Sequence, residues 1–305
     1  MRAVPECVPC VLEIAVNTIN RAVPRGDRKR AIAAAARRVL ELYEREPTPQ
    51  PPRLGTEAQR AVMRYAEEED PYREEKERAN RVALGLAREL RRELAGLGVE
   101  ERLRRAVAAA IVGNVIDFAV AGHEFDVEEL REEVRRVRFA VYDLDPDELR
   151  GRRIVYLCDN AGEIALDRLL IEVLMRDLDA EVVAVVRGAP IVNDATREDA
   201  RAVGLTDVCR VIDTGSEMLG LLVTEASGEL LEALEWADVV VSKGQGNFES
   251  IPEEPFPDVP VYFLLRAKCR AVARELGVSV GDNVALEWRP GEENVRRWRR
   301  LREGR

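Results

Sequence analysis

The sequence predicts an α/β protein in two parts, an all-helical first half followed by an α/β unit with a mainly parallel sheet. From residue 11 to about residue 150, apolar residues recur at the three- and four-residue spacing of amphipathic helices. After residue 151, short β-branched runs alternate with helical patterns, which is typical of parallel strands joined by helices. The 305 residues are enough for two domains, which we expect at 1–150 and 151–305.

Each predicted element rests on its own pattern. The expected helices span residues 31–45, 58–69, 74–94, 101–121 and 127–139, with breaks at 47–52, 70–71, 96–98 and near residue 122. No strand-like alternation precedes residue 150. The expected strands span residues 153–158, 181–186, 207–212, 238–242 and 259–265, and the segment 284–305 is expected to end in a charged helix.

Charge and composition exclude several classes of protein. The net charge of −10 argues against general nucleic-acid binding, which requires a basic face. No apolar run reaches the ~18 residues of a membrane span, and the N-terminus has no secretory pattern, so we expect a cytoplasmic protein. The single histidine, His123, excludes most zinc sites and histidine-based triads. Any catalytic metal would need oxygen ligands, which favours a hard cation such as Mg²⁺ or Mn²⁺.

Polar residues follow four of the predicted strands. Because ligands bind beyond the carboxyl ends of parallel strands, these residues are expected to meet at one edge of the sheet. They are Asp159, Asn160, Asn193, Asp194, Lys243 and Lys268, with Gly244 directly after Lys243. Carboxylate and amide oxygens suit a cation, and lysines suit phosphoryl oxygens. Taken singly, each motif is also ordinary turn or helix-cap chemistry; the coincidence at strand ends indicates a metal and phosphate site.

The use of lysine supports the same interpretation. Only four of the 47 basic residues are lysines, and the rest are arginines. Lys243 and Lys268 follow apolar strand-like runs, where a compact ammonium suits phosphate oxygens better than a planar guanidinium. Lys29 and Lys76 lie in charged helical stretches, and we expect them on solvated faces.

The motifs resemble those of a known family. They are 5–10 (Pro-Glu-Cys-Val-Pro-Cys), 113–118 (Gly-Asn-Val-Ile-Asp-Phe), 159–163 (Asp-Asn-Ala-Gly-Glu), 193–196 (Asn-Asp-Ala-Thr), 243–249 (Lys-Gly-Gln-Gly-Asn-Phe-Glu) and 267–269 (Ala-Lys-Cys). Together they resemble the domain of unknown function 89 family, the metal-dependent damage-control phosphatases. The resemblance spans nearly the whole chain and points to the prokaryotic branch with an N-terminal cysteine pair.

The resemblance implies a helical N-terminal domain beside a Rossmann-like three-layer α/β domain that carries the metal site. It implies that Asp159, Asn160 and Asp194 hold a divalent cation, which would be Mg²⁺, Mn²⁺, Co²⁺ or Ni²⁺. The substrate is expected to be a small phosphorylated metabolite, such as a phosphosugar or phosphopantetheine derivative, possibly damaged. The phosphate contacts would come from Asn114, Lys243, Gly244 and Lys268. Asp159, Asp194 and Lys243 are the expected catalytic residues, and metal-bound water is favoured over an aspartate as the attacking group.

Two other functions stay open from the sequence. The first is an S-adenosylmethionine-dependent carboxyl methyltransferase, which the absence of a glycine-rich nucleotide loop disfavours. The second is a non-catalytic metabolite-binding protein, which the costly clustered charges disfavour. The pair Cys7 and Cys10 is compatible with either a structural or a redox role.

Overall fold

The computed structural model describes residues 1–113 and 127–304. Asn114 and His123 therefore lie outside the described residues. The helices are α1 (Cys7–Ala22), α2 (Arg28–Arg45), α3 (Pro51–Met63), α4 (Arg73–Leu94), α5 (Val99–Val112), α6 (Val127–Arg136), α7 (Pro146–Leu149), α8 (Glu163–Asp177), α9 (Arg197–Ala202), α10 (Gly228–Trp236), α11 (Gly244–Ser250), α12 (Arg270–Leu276) and α13 (Glu292–Glu303). The strands are β1 (Phe139–Tyr142), β2 (Arg153–Leu157), β3 (Glu181–Val186), β4 (Arg210–Asp213), β5 (Val239–Lys243), β6 (Val261–Arg266) and β7 (Asn283–Trp288).

The strands form one seven-stranded sheet in the order β1-β7-β6-β5-β2-β3-β4. Every neighbouring pair is parallel except β6 and β7, which are antiparallel. The predicted α/β class with a mainly parallel sheet is confirmed. The buried strands read as almost continuous apolar runs because helices cover both faces of the sheet.

Alternate residues of each strand belong to two different hydrophobic cores. Ile154 and Tyr156 of β2 join α4, α5 and α8 on one face of the sheet. Val155 and Leu157 join α10, α11, α12 and α13 on the other face. This alternation follows from the two-residue period of a strand and gives the three layers that the resemblance implied. Helices α1, α2 and α3 bury a separate cluster of their own. The domain limits at 1–150 and 151–305 stay a prediction.

Strand β1 corrects the expectation that no strand precedes residue 150. The helix expected over 127–139 ends at Arg136, and Phe139–Tyr142 pairs in parallel with β7. This strand has only four residues, and none of them is fully buried. Such a short edge strand lacks the buried apolar run that distinguishes the central strands, so it could not be recognised from the sequence.

Helix α3 begins earlier than expected. The stretch 47–52 was predicted to be a break because of its prolines, yet the helix starts at Pro51, with Pro52 in the second position. Proline is tolerated there because the first-turn N–H groups have no partner within a helix.

Among the described residues, no helix is both long and apolar enough to cross a membrane.

Candidate active site

The candidate site lies where the strand order reverses. Strand β2 has β3 on one side and β5 on the other, so the chain leaves β2 in one direction and later returns to its opposite edge. Loops that leave the carboxyl ends of two such strands diverge and open a crevice, which is the usual ligand site of an open parallel sheet. Asp159 follows β2, and Gly244 follows β5, so both lie at this crevice.

Backbone pairing brings the first two predicted motifs together. The carbonyl oxygen of Asp159 accepts a hydrogen bond from the amide of Ala195 at 2.8 Å. Asn160 and Asp194 form an antiparallel bridge, and the amide of Ala161 donates to the carbonyl of Asn193 at 2.9 Å. The side chains of Asp159, Asn160 and Asp194 are therefore presented by one rigid pair of segments. The structure brings together the three residues that the resemblance implied as cation ligands.

A buried arginine accompanies the two carboxylates. Arg187, directly after β3, donates from Nε to Asp194 Oδ2 at 2.6 Å, and its Nη2 lies 3.9 Å from Asp159 Oδ1. Burial and, to a smaller extent, the nearby charge of Asp159 raise the pKa of Asp194 to about 7, against the opposing effect of Arg187. Two carboxylates in a buried pocket repel one another, so the pocket favours any cation placed between them.

Lys243 lies in the protein interior and does not face the open crevice. Its side chain has no contact with solvent, and its ammonium donates to the carbonyl of Ala110 at 2.8 Å and to Asp167 Oδ1 at 2.7 Å. A third, short bond goes to Glu163 Oε1. The ammonium therefore uses all three of its donors inside the protein. The predicted contact of Lys243 with a substrate phosphate stays a prediction, and it would require one of these bonds to break.

Glu163 connects this lysine to the predicted cation ligands. Its Oε2 accepts a hydrogen bond from Asn160 Nδ2 at 3.3 Å, and the same Nδ2 donates to Asp159 Oδ2 at 3.0 Å. Burial raises the pKa of Glu163 above its ordinary value, against the opposing charge of Lys243. The orientation of the Asn160 amide is thus fixed by two carboxylates, one of which is held by Lys243.

Gly244 lies against Asp159 so closely that no other residue fits. A Cβ built on Gly244 would lie 1.9 Å from Asp159 Oδ2, and the residue has a φ of +79°. Both the contact and the left-handed backbone require glycine. Lys268 is exposed after β6, and its amide donates to Gln245 Oε1 at 3.1 Å. Gly244 therefore lies beside the predicted cation ligand Asp159, and Lys268 is bound to Gln245, the residue that follows Gly244.

The family follows from comparison with known proteins. The sequence model of the damage-control phosphatase ARMT1-like domain matches residues 3–284. The chain belongs to this family. The membership confirms the resemblance drawn from the motifs, whereas assignment to the branch with the N-terminal cysteine pair stays a prediction. Cys7 is half-buried, Cys10 is exposed, and both are free thiols.

Individual relatives agree with this membership. The chain is 38% identical over 293 residues to an uncharacterized protein of Methanocaldococcus jannaschii, covering 93% of this chain and 94% of that protein. It is 40% identical over 240 residues to a damage-control phosphatase of Archaeoglobus fulgidus, covering 76% and 81%. The crystal structure of a DUF89 family protein of Pyrococcus horikoshii matches with a TM-score of 0.84 and 33% identity, covering 95% of this chain and 100% of that one.

Lys76 corrects one expectation about the lysines. Rather than lying on a solvated face, it is buried between Asp70 at 2.7 Å and Asp199 at 3.3 Å. Asp199 also accepts from Asn80 Nδ2 at 2.9 Å, and Asn80 Oδ1 accepts the amide of Gly162 at 2.7 Å. The expectation of a solvated Lys76 was wrong because α4 is densely charged, and the sequence of α4 does not show which charged side chain faces inward. Lys29 is exposed, as predicted.

Four residues of the site were missed from the sequence. Glu163 belongs to the 159–163 motif, and its carboxylate could have been singled out there. Arg187 directly follows β3, the position at which the other site residues were found, so the same argument could have included it. Asp167 and Asn80 carry no such signal, because each lies within a helix and contacts the site only through the tertiary fold. The structure adds Asn80, Glu163, Asp167 and Arg187.

The chemistry of the implied ligands fits the divalent cation that the family resemblance predicted. Among the described residues, no group of three or more histidine, cysteine, aspartate or glutamate side chains is arranged to hold a metal. The candidate set contains instead two carboxylates and one amide, Asp159, Asp194 and Asn160. Mg²⁺ is commonly held by only one or two carboxylates, with water and substrate phosphate completing its coordination. The donors are therefore appropriate for a cation that is shared with a phosphorylated substrate.

Proposed function

We propose that this protein is a metal-dependent phosphatase that hydrolyses phosphate monoesters of small metabolites. Its family membership and the name of the Archaeoglobus relative support phosphatase chemistry. The observation that carries the metal dependence is the oxygen-ligand set Asp159, Asn160 and Asp194 at the switch point of the sheet. Mg²⁺, Mn²⁺, Co²⁺ and Ni²⁺ are the candidate cations, and phosphosugars and phosphopantetheine derivatives, including damaged forms, are the candidate substrates.

Some of these residues would bind or position the cation, and Lys268 would bind the phosphate. When bound, the cation would neutralise phosphoryl charge and lower the pKa of an attacking water. Asp159 and Asp194 provide the negative charge that attracts it. Glu163, itself held by Lys243, orients the amide of Asn160. Lys268 is the exposed lysine at the carboxyl end of the sheet, where its ammonium can meet phosphoryl oxygens.

Phosphate release from a panel of phosphosugars, nucleotides and phosphopantetheine derivatives tests the proposal. Chelated protein should be inactive, and one of the four cations should restore release. Asp159→Asn should reduce kcat at least about 1,000-fold, because it removes a ligand charge while preserving the shape of the side chain. The matched control is Asp147→Asn, at an aspartate whose side chain is 86% exposed, and it should keep wild-type activity.

Two outcomes would contradict the proposal. Undiminished release from fully chelated protein would refute the metal dependence. Absence of release with every cation, from protein shown to bind one, would refute the phosphatase and direct attention to methyl transfer or metabolite binding.

A further inference from the structure

The Arg187 guanidinium forms hydrogen bonds in addition to its ion pairs with the two aspartates. Its side chain is 4% exposed, and it is fixed at three points. Nε donates to Asp194 Oδ2 at 2.6 Å, Nη1 donates to the carbonyl of Gly220 at 2.6 Å, and Nη2 donates to Asn247 Oδ1 at 3.4 Å. Because Gly220 and Asn247 bind the guanidinium in addition to the carboxylates, we expect Arg187 to keep its position when a cation binds.

This fixed position determines the charge of the site. Asp159, Asp194 and Arg187, when all are ionised, carry one net negative charge. A divalent cation would change this to one net positive charge, which attracts a phosphate dianion. Without Arg187, the same cation would leave the site neutral. The neighbouring cluster of Lys243 with two carboxylates is the same in both cases, so it cancels from the comparison.

We propose that Arg187 is a positioning residue that acts as a permanent counter-cation, weakening divalent-cation binding at Asp159 and Asp194 while strengthening phosphate binding to the loaded site. The inference rests on the proposed metal site. Its physical basis is that a positive charge in contact with the ligands of a cation opposes binding of that cation, and that the effect is larger in a mostly buried site than in bulk water. Arg187 Nη2 lies 3.9 Å from Asp159 Oδ1. A purely structural arginine would not shift the two affinities in opposite directions.

The test compares Arg187→Gln, which removes the charge, with Arg187→Lys, which keeps it. Mn²⁺ is titrated into chelated wild type and variants by calorimetry, and inorganic phosphate is then titrated into each Mn²⁺-loaded protein. Arg187→Gln should bind Mn²⁺ at least about tenfold more tightly and phosphate at least about tenfold more weakly. Arg187→Lys should stay within about threefold of the wild type in both titrations.

Several results would overturn the inference. Unchanged or weaker Mn²⁺ binding by folded Arg187→Gln would do so, and so would equal tightening in Arg187→Lys. Folding is checked by thermal unfolding in circular dichroism. If Arg187→Gln does not fold, Arg187→Lys decides alone, since a tenfold change in either direction contradicts the proposal. If the wild type binds Mg²⁺, Co²⁺ or Ni²⁺ but not Mn²⁺, the same titrations are made with that cation. Absence of binding of all four cations by the wild type would remove the proposed metal dependence together with this inference, whereas wild-type binding with an unchanged Arg187→Gln would remove the inference alone.

Discussion

At the scale of single residues, Lys243 shows why a lysine is required at the end of β5. Its ammonium has three hydrogens and meets three oxygens, those of Ala110, Glu163 and Asp167, in a pocket closed to solvent. A guanidinium has five donors in a wide plane, so two would lack acceptors there. The compact ammonium that the sequence suggested for phosphate is thus also the group that fits between two buried carboxylates.

Replacing Lys243 by methionine should destabilise the protein strongly. The substitution nearly preserves volume but leaves Glu163 and Asp167 buried without their counter-charge, which costs about 3–5 kcal/mol. Urea unfolding at pH 7 measures the difference in free energy. The matched control, Lys29→Met, removes an exposed lysine of α2 and should change stability by less than about 0.5 kcal/mol. A loss below about 1 kcal/mol in Lys243→Met would contradict the pairing.

At the scale of elements, the junction between β5 and α11 brings the chain back against the loop that follows β2. This contact depends on Gly244, where any Cβ would collide with the Asp159 carboxylate. The parallel register of β2 with β5, from Ile154 opposite Val239 to Leu157 opposite Ser242, brings these two strand ends level. The close approach is therefore a consequence of the sheet, and it holds the Asp159 carboxylate in one position.

Gly244→Ala should disrupt the site beyond the usual effect of replacing a left-handed glycine. Gly277 has a similar positive φ of +70°, but nothing lies within 4 Å of a Cβ built there. Gly277→Ala should therefore cost only about 1 kcal/mol of backbone strain, with activity retained. Gly244→Ala should cost more and weaken Mn²⁺ binding at least about tenfold, because Asp159 must move. Equal effects in urea unfolding and calorimetry would show that the contact is unimportant.

The strands that could be predicted are those whose own residues show the full pattern of a buried strand. Strands β2, β3, β5 and β6 were located to within about two residues because each is a buried apolar run between turn residues. The edge strand β1 and the antiparallel β7 were missed, since pairing at the margin of a sheet depends on partners distant in sequence. The same reason separates Asp159 and Asp194, the predicted cation ligands that follow strands, from Asn80, which contacts the site from a helix far away in the chain.

At the scale of the whole molecule, α4 braces both loops that carry the predicted cation ligands. Asn80 accepts from the amide of Gly162, two residues after Asn160, and donates to Asp199 at the start of α9. Asp199 in turn accepts from the amide and hydroxyl of Thr196, two residues after Asp194. One helix of the first half therefore fixes the spacing of two loops that leave different strands of the sheet.

Asn80→Ala should loosen this brace, with an effect on cation binding as well as on stability. It leaves the buried amide of Gly162 without its acceptor and removes one donor from Asp199, at a cost of about 1–3 kcal/mol. Asn17→Ala is the matched control, because Asn17 is an exposed asparagine within helix α1 and alanine improves helix propensity equally at both positions. Urea unfolding measures the stability, and Mn²⁺ calorimetry on the folded protein measures the site. Because the brace sets the distance between Asp159 and Asp194, Asn80→Ala should weaken Mn²⁺ binding about three- to tenfold while Asn17→Ala leaves it unchanged. A destabilised variant with wild-type Mn²⁺ affinity would show that the bridge between Asn160 and Asp194 maintains the site without α4.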